Sequence, residues 1–314
     1  MKTTYHKSKI DYAVIIVNYN SAQDTLLAIK SIENNTAKDY CICVVDNLSS
    51  NVDDVNYLRE NIRKYKNCLF YVAPRNGGYA YGNNYGVKQV LEQYDVDFIV
   101  IMNPDVEIPE FGVIDKLVDK LNDLSTQYAG VQPWHYVPHE KDTPPNMYKA
   151  FRKVFNYTDV VCTHLKLLRP MFRRRIRDLV YEEERPYNEE MDFEVPSGAF
   201  FVIKTDSFCD VGMFDERTFL YVEEYILGYK IKEKGLKFRL IPDLYIIHEG
   251  GKSIGSIYSS PNWKMIKYSM QAMEVYLKYY LNCNYIQILI VKLLKIYNYV
   301  LKSIYVKILK ILKK

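Results

Sequence analysis

The sequence predicts an α/β fold with a mostly parallel sheet, followed by C-terminal helices of which the last is basic and amphipathic. Through the first hundred residues, short runs rich in valine and isoleucine alternate with segments of helical spacing. That alternation is typical of a doubly wound sheet. The final 31 residues contain seven lysines and no acidic residue. At 314 residues, the chain is long enough for one large α/β domain and an appendage.

The elements of the first half follow from two kinds of spacing. Continuous apolar runs predict buried parallel strands, and apolar residues three and four positions apart predict helices. The order is strand Tyr12–Val17, helix Ala22–Ile32, strand Cys41–Val45, helix Val52–Ile62, strand Cys68–Val72, helix Tyr79–Leu91 and strand Phe98–Met102. In such a sheet, ligands bind at the carboxyl ends of the strands.

The second half is less regular. Seven prolines fall between Pro133 and Pro196, and we interpret 133–196 as a variable insertion over the ligand site. The elements predicted after it are strand Ala199–Ile203, helix Val222–Lys234, and strands Phe238–Ile241 and Leu244–Ile247. The predicted division is a catalytic domain at 1–255, a helical extension at 256–283 and a terminal helix at 284–314.

Charge and cysteine usage exclude several classes of protein. The formal net charge is +4. Because the seven lysines of the final 31 residues carry more positive charge than this total, the rest of the chain is mildly acidic. A nucleic-acid enzyme would spread positive charge over its catalytic face, so we expect no nucleic-acid partner. The six cysteines are scattered and form no CxxC motif, which indicates reduced thiols rather than disulfides.

The terminal helix is the one segment that suggests a membrane. We expect neither a secretory signal nor a spanning helix, since no lysine-free apolar run approaches ~20 residues. At ~100° per residue, the seven lysines of 284–314 fall within an arc of roughly 140°. This pattern is typical of a helix that lies on an anionic membrane surface. The alternative is a helix that packs its apolar face on the body or on a second subunit.

Polar residues follow each of the first four predicted strands. They form the loops Asn18–Ser21, Asp46–Asn47, Arg75–Gly78 and Asn103–Asp105. A single such loop would be a turn or a helix cap, but four on successive strands indicate a ligand site. The first glycine of the chain is Gly77, so a dinucleotide fingerprint after the first strand is excluded. Ile246 stands where a Walker loop before Lys252 and Ser253 needs glycine.

Several longer motifs together resemble family 2 glycosyltransferases, and most of all the bacterial rhamnosyltransferase-like members. They are VIIVNYNS (14–21), VVDNLSS (44–50), RNGGYAYGNNYG (75–86), IMNPDVEI (101–108), VPSGAFFVI (195–203), VGMFDERTFLYVEEYILGYKI (211–231) and IIHEGGKS (246–253). The resemblance covers about residues 11–255. It implies a GT-A fold, a nucleoside-diphosphate sugar donor, a divalent metal (Mg²⁺ or Mn²⁺) and inversion at the sugar carbon.

The resemblance also implies roles for single residues. Asp105 and His248 correspond to the metal site, and Asn103 stands in the first position of the D-x-D motif. Glu224 stands where the family has its general base, usually Asp, with Glu223 beside it. Donor-binding residues are Asp46, which matches the carboxylate that binds the nucleobase, together with Asn18, Asn20, Arg75, Asn76, Gly77, Gly78, Asn83, Lys252 and Ser253.

The remaining polar features receive simpler interpretations. We interpret His135 and His139 as loop residues rather than zinc ligands, because they lie among prolines. The arginine-rich run 169–177 either flanks a pyrophosphate-lipid acceptor or is a solvated basic surface.

We therefore expect a sugar-transferring enzyme on the cytoplasmic face of the membrane, acting on a lipid-linked glycan of a bacterial envelope. The oligomeric state stays open. The alternatives are a sugar-nucleotide nucleotidyltransferase and a non-catalytic scaffold of a polysaccharide assembly.

Overall fold

The computed structural model describes residues 7–33, 35–136, 151–182, 189–248 and 262–312. Its strands are β1 (Ser8–Asn18), β2 (Tyr40–Asp46), β3 (Cys68–Val72), β4 (Tyr94–Met102), β5 (Val106–Glu107), β6 (Tyr128–Tyr136), β7 (Phe151–Arg152), β8 (Met191–Phe193), β9 (Val195–Pro196), β10 (Phe200–Lys204) and β11 (Lys237–His248). Its helices are α1 (Ala22–Glu33), α2 (Val52–Ile62), α3 (Gly78–Gln93), α4 (Val113–Asp123), α5 (Tyr157–His164), α6 (Arg173–Leu179), α7 (Thr205–Asp210), α8 (Glu223–Glu233), α9 (Trp263–Tyr279) and α10 (Tyr285–Leu312), with a 3₁₀ segment at Lys166–Phe172.

Within the described ranges, all strands except β7 and β9 form one sheet. Its order is β3-β2-β1-β4-β10-β6-β11-β5, with β8 also paired to β11. The pairs β1–β2, β2–β3, β1–β4 and β6–β11 are parallel, whereas β10 runs antiparallel to both β4 and β6. The chain proceeds from β1 outward to β3 and returns on the other side as β4. This reversal of strand order next to β1 is where open α/β sheets bind ligands.

Both faces of the sheet are buried. Alternate side chains of β1 point to opposite faces, so Val14 and Ile16 join one core cluster while Ala13 and Ile15 join the other. This double burial explains why the strands appear in the sequence as continuous apolar runs. A third cluster joins α5, α8, α9 and α10.

The structure confirms the predicted mostly parallel α/β architecture and corrects several elements. Pro133 pairs with Ile241 inside β6, so residues 133–136 belong to the sheet and the predicted insertion begins too early. The two short strands predicted at 238–247 are one strand, β11, with a register shift between Ile241 and Tyr245. The sequence prediction also missed α4, which follows Gly112 in the left-handed conformation.

The terminal segment is the helix α10, and part of it packs on the body. Ile288, Val291 and Val306 are buried, Lys292 pairs with Glu274, and Lys295 donates to Ser269 Oγ. The opposite face exposes a stripe of large apolar side chains at three- and four-residue spacing: Ile286, Ile290, Leu293, Tyr297, Val300, Ile304 and Ile308. Among the described helices, none is long and apolar enough to cross a membrane.

Candidate functional site

The first two polar loops meet because β1 and β2 end in register. Asn18 lies opposite Asp46, and its Nδ2 donates to Asp46 Oδ1 over 2.8 Å. Ser49 donates to both carboxylate oxygens of Asp46, through its backbone N–H and its hydroxyl. The Asn18 side-chain oxygen accepts from the hydroxyls of Ser21 and Thr25. Asn18 and Asp46 are fully buried, so in this structure they join the two loops.

Asn20 connects the same loops from the exposed side. It adopts a left-handed φ of 53°, a conformation that asparagine tolerates better than most residues. Its side chain donates to Ser50 Oγ over 3.0 Å and accepts from the Asn51 N–H over 2.9 Å. The exposed ring of Tyr19 lies beside it in sequence. This pair is the accessible part of the first loop.

The third loop is held in place by hydrogen bonds from the Asn47 side chain. Asn47 Nδ2 donates to Asn76 Oδ1 and to the Gly78 carbonyl, at 3.2 and 3.0 Å. Gly78 has φ +83°, and a Cβ there would lie 1.8 Å from the Phe219 carbonyl oxygen. Only glycine therefore fits. The Arg75 guanidinium is exposed and lies 4.5 Å from the centroid of the Tyr81 ring.

Gly77 and Asn83 serve the packing of α3. A Cβ on Gly77 would overlap the Tyr81 ring, 2.4 Å from its Cγ. Asn83 is buried, and its Nδ2 donates to the Tyr79 carbonyl within the helix. Its amide is thus used inside the protein in this structure.

The fourth loop lies next to the end of β11. The short strand β5 pairs with β11, with Val106 opposite His248, and this pairing brings His248 Nε2 to 3.4 Å from Asp105 Oδ2. The two side chains remain 23% and 19% exposed. The Asn103 N–H donates to the Ala199 carbonyl over 2.8 Å. Lys252 and Ser253 lie outside the described residues.

A buried histidine lies behind this pair, and the sequence prediction placed it wrongly. His135 is on strand β6, not in a loop. Its ring meets the ring of His248 edge to face, with centroids 6.2 Å apart. Its Nε2 is buried and has no hydrogen-bond partner among the described residues. Burial, together with His248, lowers the pKa of His135 to about 3, so this imidazole is neutral at physiological pH.

Two glutamates stand in the first turn of α8, close to the loop Ser197–Ala199. The N–H of Gly198 donates to Glu224, and a Cβ on Gly198 would lie 2.2 Å from Glu224 Oε1. Glu223 is buried, and within the described part of the chain its Oε1 has no hydrogen-bond partner. Tyr79 donates its hydroxyl to the Gly198 carbonyl over 2.6 Å. The loop thus contacts Glu224 through Gly198 and the Asn103 backbone through Ala199.

Burial raises the pKa of both glutamates. The pKa of Glu223 is raised well above its ordinary value by burial and by the charge of Glu224. The pKa of Glu224 is also raised by burial, while its own N–H, the Arg152 guanidinium and the Gly198 N–H oppose the rise. The Arg152 guanidinium and the Gly198 N–H thus favour the ionised form of Glu224.

Arg152 belongs to this cluster, although no sequence pattern indicated it. It comes from the two-residue strand β7, which pairs with β9, and its Nη1 donates to the Tyr225 hydroxyl over 2.9 Å. Burial alone would lower the pKa of Arg152, but Tyr225 and Glu224 raise it overall. Residues 151–152 lie in the irregular middle of the chain, where no spacing points to the glutamates.

Comparison with known proteins decides the family. A family model described as glycosyl transferase family 2 matches residues 13–217. The chain belongs to this family. It is 23% identical over 249 residues to the N-acetylglucosaminyl-diphospho-decaprenol L-rhamnosyltransferase of Mycobacterium tuberculosis, covering 77% of each chain. It is 24% identical over 240 residues to the rhamnosyltransferase WbbL of Escherichia coli K12, covering 73% of this chain and 81% of WbbL.

A solved structure supports the same assignment of fold. The glycosyltransferase superimposes on the crystal structure of GalNAc-T7 with UDP, GalNAc and Mn²⁺, with a TM-score of 0.59 and 18% sequence identity. The alignment covers 87% of this chain, which spans half of that one. The fold of this rhamnosyltransferase-like glycosyltransferase is of the GT-A type.

Proposed function

We propose that the protein transfers one sugar, with inversion at its anomeric carbon, from a nucleoside-diphosphate sugar to a lipid-linked glycan of a bacterial envelope polysaccharide. One observation carries the proposal. The loop Ser197–Ala199 contacts the Asn103 backbone through Ala199 and the Glu224 carboxylate through Gly198. A loop suited to hold a diphosphate and a group suited to take a proton therefore border the same short segment.

Asp105 and His248 fit a divalent cation. Two ligands at right angles, each ~2.1 Å from an ion, are roughly 3 Å apart, which is close to the 3.4 Å between Asp105 Oδ2 and His248 Nε2. The described residues contain no group of three or more such side chains. The rest of the coordination would come from diphosphate oxygens and water, as is usual for Mg²⁺ and Mn²⁺ at phosphate sites. When bound, the cation stabilises negative charge on the departing diphosphate.

Glu224 is the proposed general base. As the acceptor oxygen bonds to the anomeric carbon, its proton passes to Glu224, while the carbon–oxygen bond to the diphosphate breaks and its electrons stay on the diphosphate. Glu224 suits this role because the Gly198 N–H fixes its carboxylate and because the Arg152 guanidinium favours its ionised form. A positioned base of this kind contributes ~10²–10⁴ in rate. Glu223 supports it as a buried neighbour.

The donor nucleotide is proposed to lie over the loops at the ends of β1, β2 and β3. Asn20 and Arg75 are the exposed members of this surface. Asp46 and Asn18 lie buried beneath this surface and join its first two loops. A nucleobase contact to Asp46 would replace one of the two hydrogen bonds that Asp46 accepts from Ser49. Asn76, Gly77, Gly78 and Asn83 hold the third loop and the start of α3, and Lys252 and Ser253 remain candidates for the phosphates.

The acceptor is proposed to be lipid-linked and the enzyme to lie on the inner face of the cell membrane. The mycobacterial relative is an N-acetylglucosaminyl-diphospho-decaprenol L-rhamnosyltransferase, which supports this class of substrate. The exposed apolar stripe of α10 and its flanking lysines support a helix that lies in the interface.

An assay of sugar transfer tests the function. Full-length protein is incubated with nucleotide sugars, Mn²⁺ and a lipid-diphosphate-linked sugar, and the product is identified by mass and by the configuration of its new bond. Asp105→Ala is expected to lose transfer by at least ~10²-fold, because one ligand for the diphosphate-bound cation is removed. Full activity of Asp105→Ala, or of the wild type in excess chelator, would contradict the metal-assisted reaction. Retention of configuration would contradict inversion.

A further inference from the structure

An exposed segment outside the site combines cations with large apolar side chains. Residues 166–174, here called the basic ridge, comprise the 3₁₀ segment and the start of α6, with the sequence KLLRPMFRR. Leu167, Leu168 and Met171 are 67%, 45% and 75% exposed. Three such side chains within five residues are unusual on a surface that faces only water, and they indicate a contact with something apolar.

The cations of the ridge are not explained by folding. Arg175 and Arg177, just beyond it, pair with Asp159 and Glu182. Within the described part of the chain, the four cations of the ridge itself make no ion pair with a carboxylate: Lys166, Arg169, Arg173 and Arg174. Arg173 and Arg174 also occupy the first turn of α6, which has no acidic residue. The helix dipole disfavours cations there, so this placement does not serve the stability of α6.

The ridge adjoins α10. The helix α5 packs on α10, and Asn298 Nδ2 in the middle of α10 donates to the His164 carbonyl over 2.7 Å. Lys166 follows His164 by only two residues. The ridge therefore begins two residues from a direct contact with the middle of α10.

We infer that the basic ridge is a second membrane contact, which places Leu167, Leu168 and Met171 among the headgroups of an anionic leaflet and its four cations on the lipid phosphates. The inference rests on the proposed membrane position of α10. A bilayer fits better than a free diphosphate because a diphosphate offers nothing for the three apolar side chains to bury against. Two separate contacts would fix the orientation of the enzyme on the surface, which one helix lying in the interface cannot do alone.

Co-sedimentation of the full-length protein with vesicles tests the ridge. The vesicles are phosphatidylcholine with or without phosphatidylglycerol. The variant Arg169→Gln/Arg173→Gln/Arg174→Gln is compared with Arg63→Gln/Lys64→Gln/Lys66→Gln, which removes three exposed cations between α2 and β3, at the opposite edge of the sheet. A cation near an anionic leaflet contributes about 1 kcal/mol, or about fivefold. We therefore expect affinity for anionic vesicles to fall ~10²-fold in the ridge variant and little in the control.

Two further measurements separate the ridge from its alternatives. Leu167→Ser/Met171→Ser should also weaken vesicle binding, without a change in melting temperature, since both side chains are exposed. Equal vesicle binding by wild type and ridge variant would overturn the inference. A raised KM for the lipid-linked acceptor with unchanged vesicle binding would overturn it too, in favour of an acceptor-diphosphate site. Transfer to a short water-soluble acceptor, measured on the same preparations, reports on the proposed function independently of either result.

Discussion

At the scale of single residues, the arrangement around Gly198 gives the two neighbouring glutamates different chemical character. Glu224 receives the Gly198 N–H and faces Arg152, whereas Glu223 is buried with one oxygen unpartnered. The sequence indicated both residues as candidates, because adjacent acids open a helix that follows a recognisable motif. It could not rank them, since acids in a first turn also stabilise the helix dipole.

Substituting each glutamate by glutamine should separate their roles. Glu224→Gln keeps the shape of the side chain and removes its basicity, so we expect kcat to fall ~10²-fold or more with donor binding retained. Glu223→Gln is expected to lose less. If Glu223→Gln instead shows the larger loss of kcat in the same steady-state assay, the roles assigned to the two glutamates must be exchanged.

Glu223→Gln should also change stability with pH. The folded-state pKa of Glu223 is raised by burial and by Glu224, so its contribution to stability is present below the unfolded carboxyl pKa of ~4.3 and is lost as the pH rises through the raised pKa. Glutamine has no carboxyl group to ionise, so the variant does not lose stability in this way as the pH rises. The melting temperature of the variant should therefore exceed that of wild type increasingly as the pH rises, and a constant difference across pH would contradict the assignment.

Arg152 should determine the pH below which kcat/KM falls. Its charge opposes the rise in the pKa of Glu224, so Arg152→Gln lets that pKa rise further. Because a base must be deprotonated to act, the acid limb of kcat/KM should move to higher pH. Arg152→Lys keeps the charge and should restore most of the original profile. An equal loss at every pH would instead indicate that Arg152 only supports the fold.

At the scale of elements, spacing predicted those strands whose two faces are both buried, and failed where an element depends on distant pairing. The strand β6 contains glycine, glutamine and proline, and it is a strand because β10 and β11 flank it. Likewise, the lysine arc of α10 indicated a helix on an anionic membrane surface, with packing on the body as the alternative. Docking on α9 and α5 partly buries Lys295, and this burial lowers the pKa of Lys295 to about 8. The packing alternative therefore holds for one face of α10, while the apolar stripe on the other face stays exposed.

Matched substitutions along α10 should distinguish its two faces. Leu293→Asn and Val300→Asn change exposed side chains, so we expect weaker vesicle binding and a melting temperature near that of wild type. Val291→Asn changes a buried side chain and should destabilise the protein by a few kcal/mol. Deletion of α10 is expected to destabilise the body too, since it uncovers the cluster around Tyr276. Vesicle binding that is indifferent to the exposed stripe would exclude α10 as an anchor.

At the scale of the whole molecule, the edge of the sheet that carries the candidate site could be predicted from the order of strands and helices. The contact between Asp105 and His248 could not be predicted in this way. Parallel strands in register bring their carboxyl ends to one edge, which is why Asn18 and Asp46 meet as the sequence indicated. The Asp105–His248 pair depends instead on the two-residue strand β5 joining β11. Two residues carry no periodicity, so that proximity followed only from the family resemblance.

The assembled site should bind its donor more tightly in the presence of a cation. A ligand at 100 times its Kd stabilises a folded protein by about 2.7 kcal/mol, which raises the melting temperature by several degrees. Screening nucleotide sugars with and without Mn²⁺ should therefore identify the donor, and Asp105→Ala should abolish the part of the shift that depends on Mn²⁺. A shift of equal size in wild type and Asp105→Ala would argue that the cation binds elsewhere.

The antiparallel strand β10 lies between β4 and β6, and this placement has a consequence for the order of assembly. Strands β1 to β4 pair among themselves, so this part of the sheet can form once residue 102 has emerged from the ribosome. Strand β6 has no place beside β4 until residues 200–204 arrive, and β11 follows later still. During synthesis the loops at the ends of β1 and β2 should therefore become ordered early, and Asp105 and His248 should be among the last groups brought together. A ribosome-bound chain halted before β10 would hold the contact between Asn18 and Asp46 but lack the contact between Asp105 and His248.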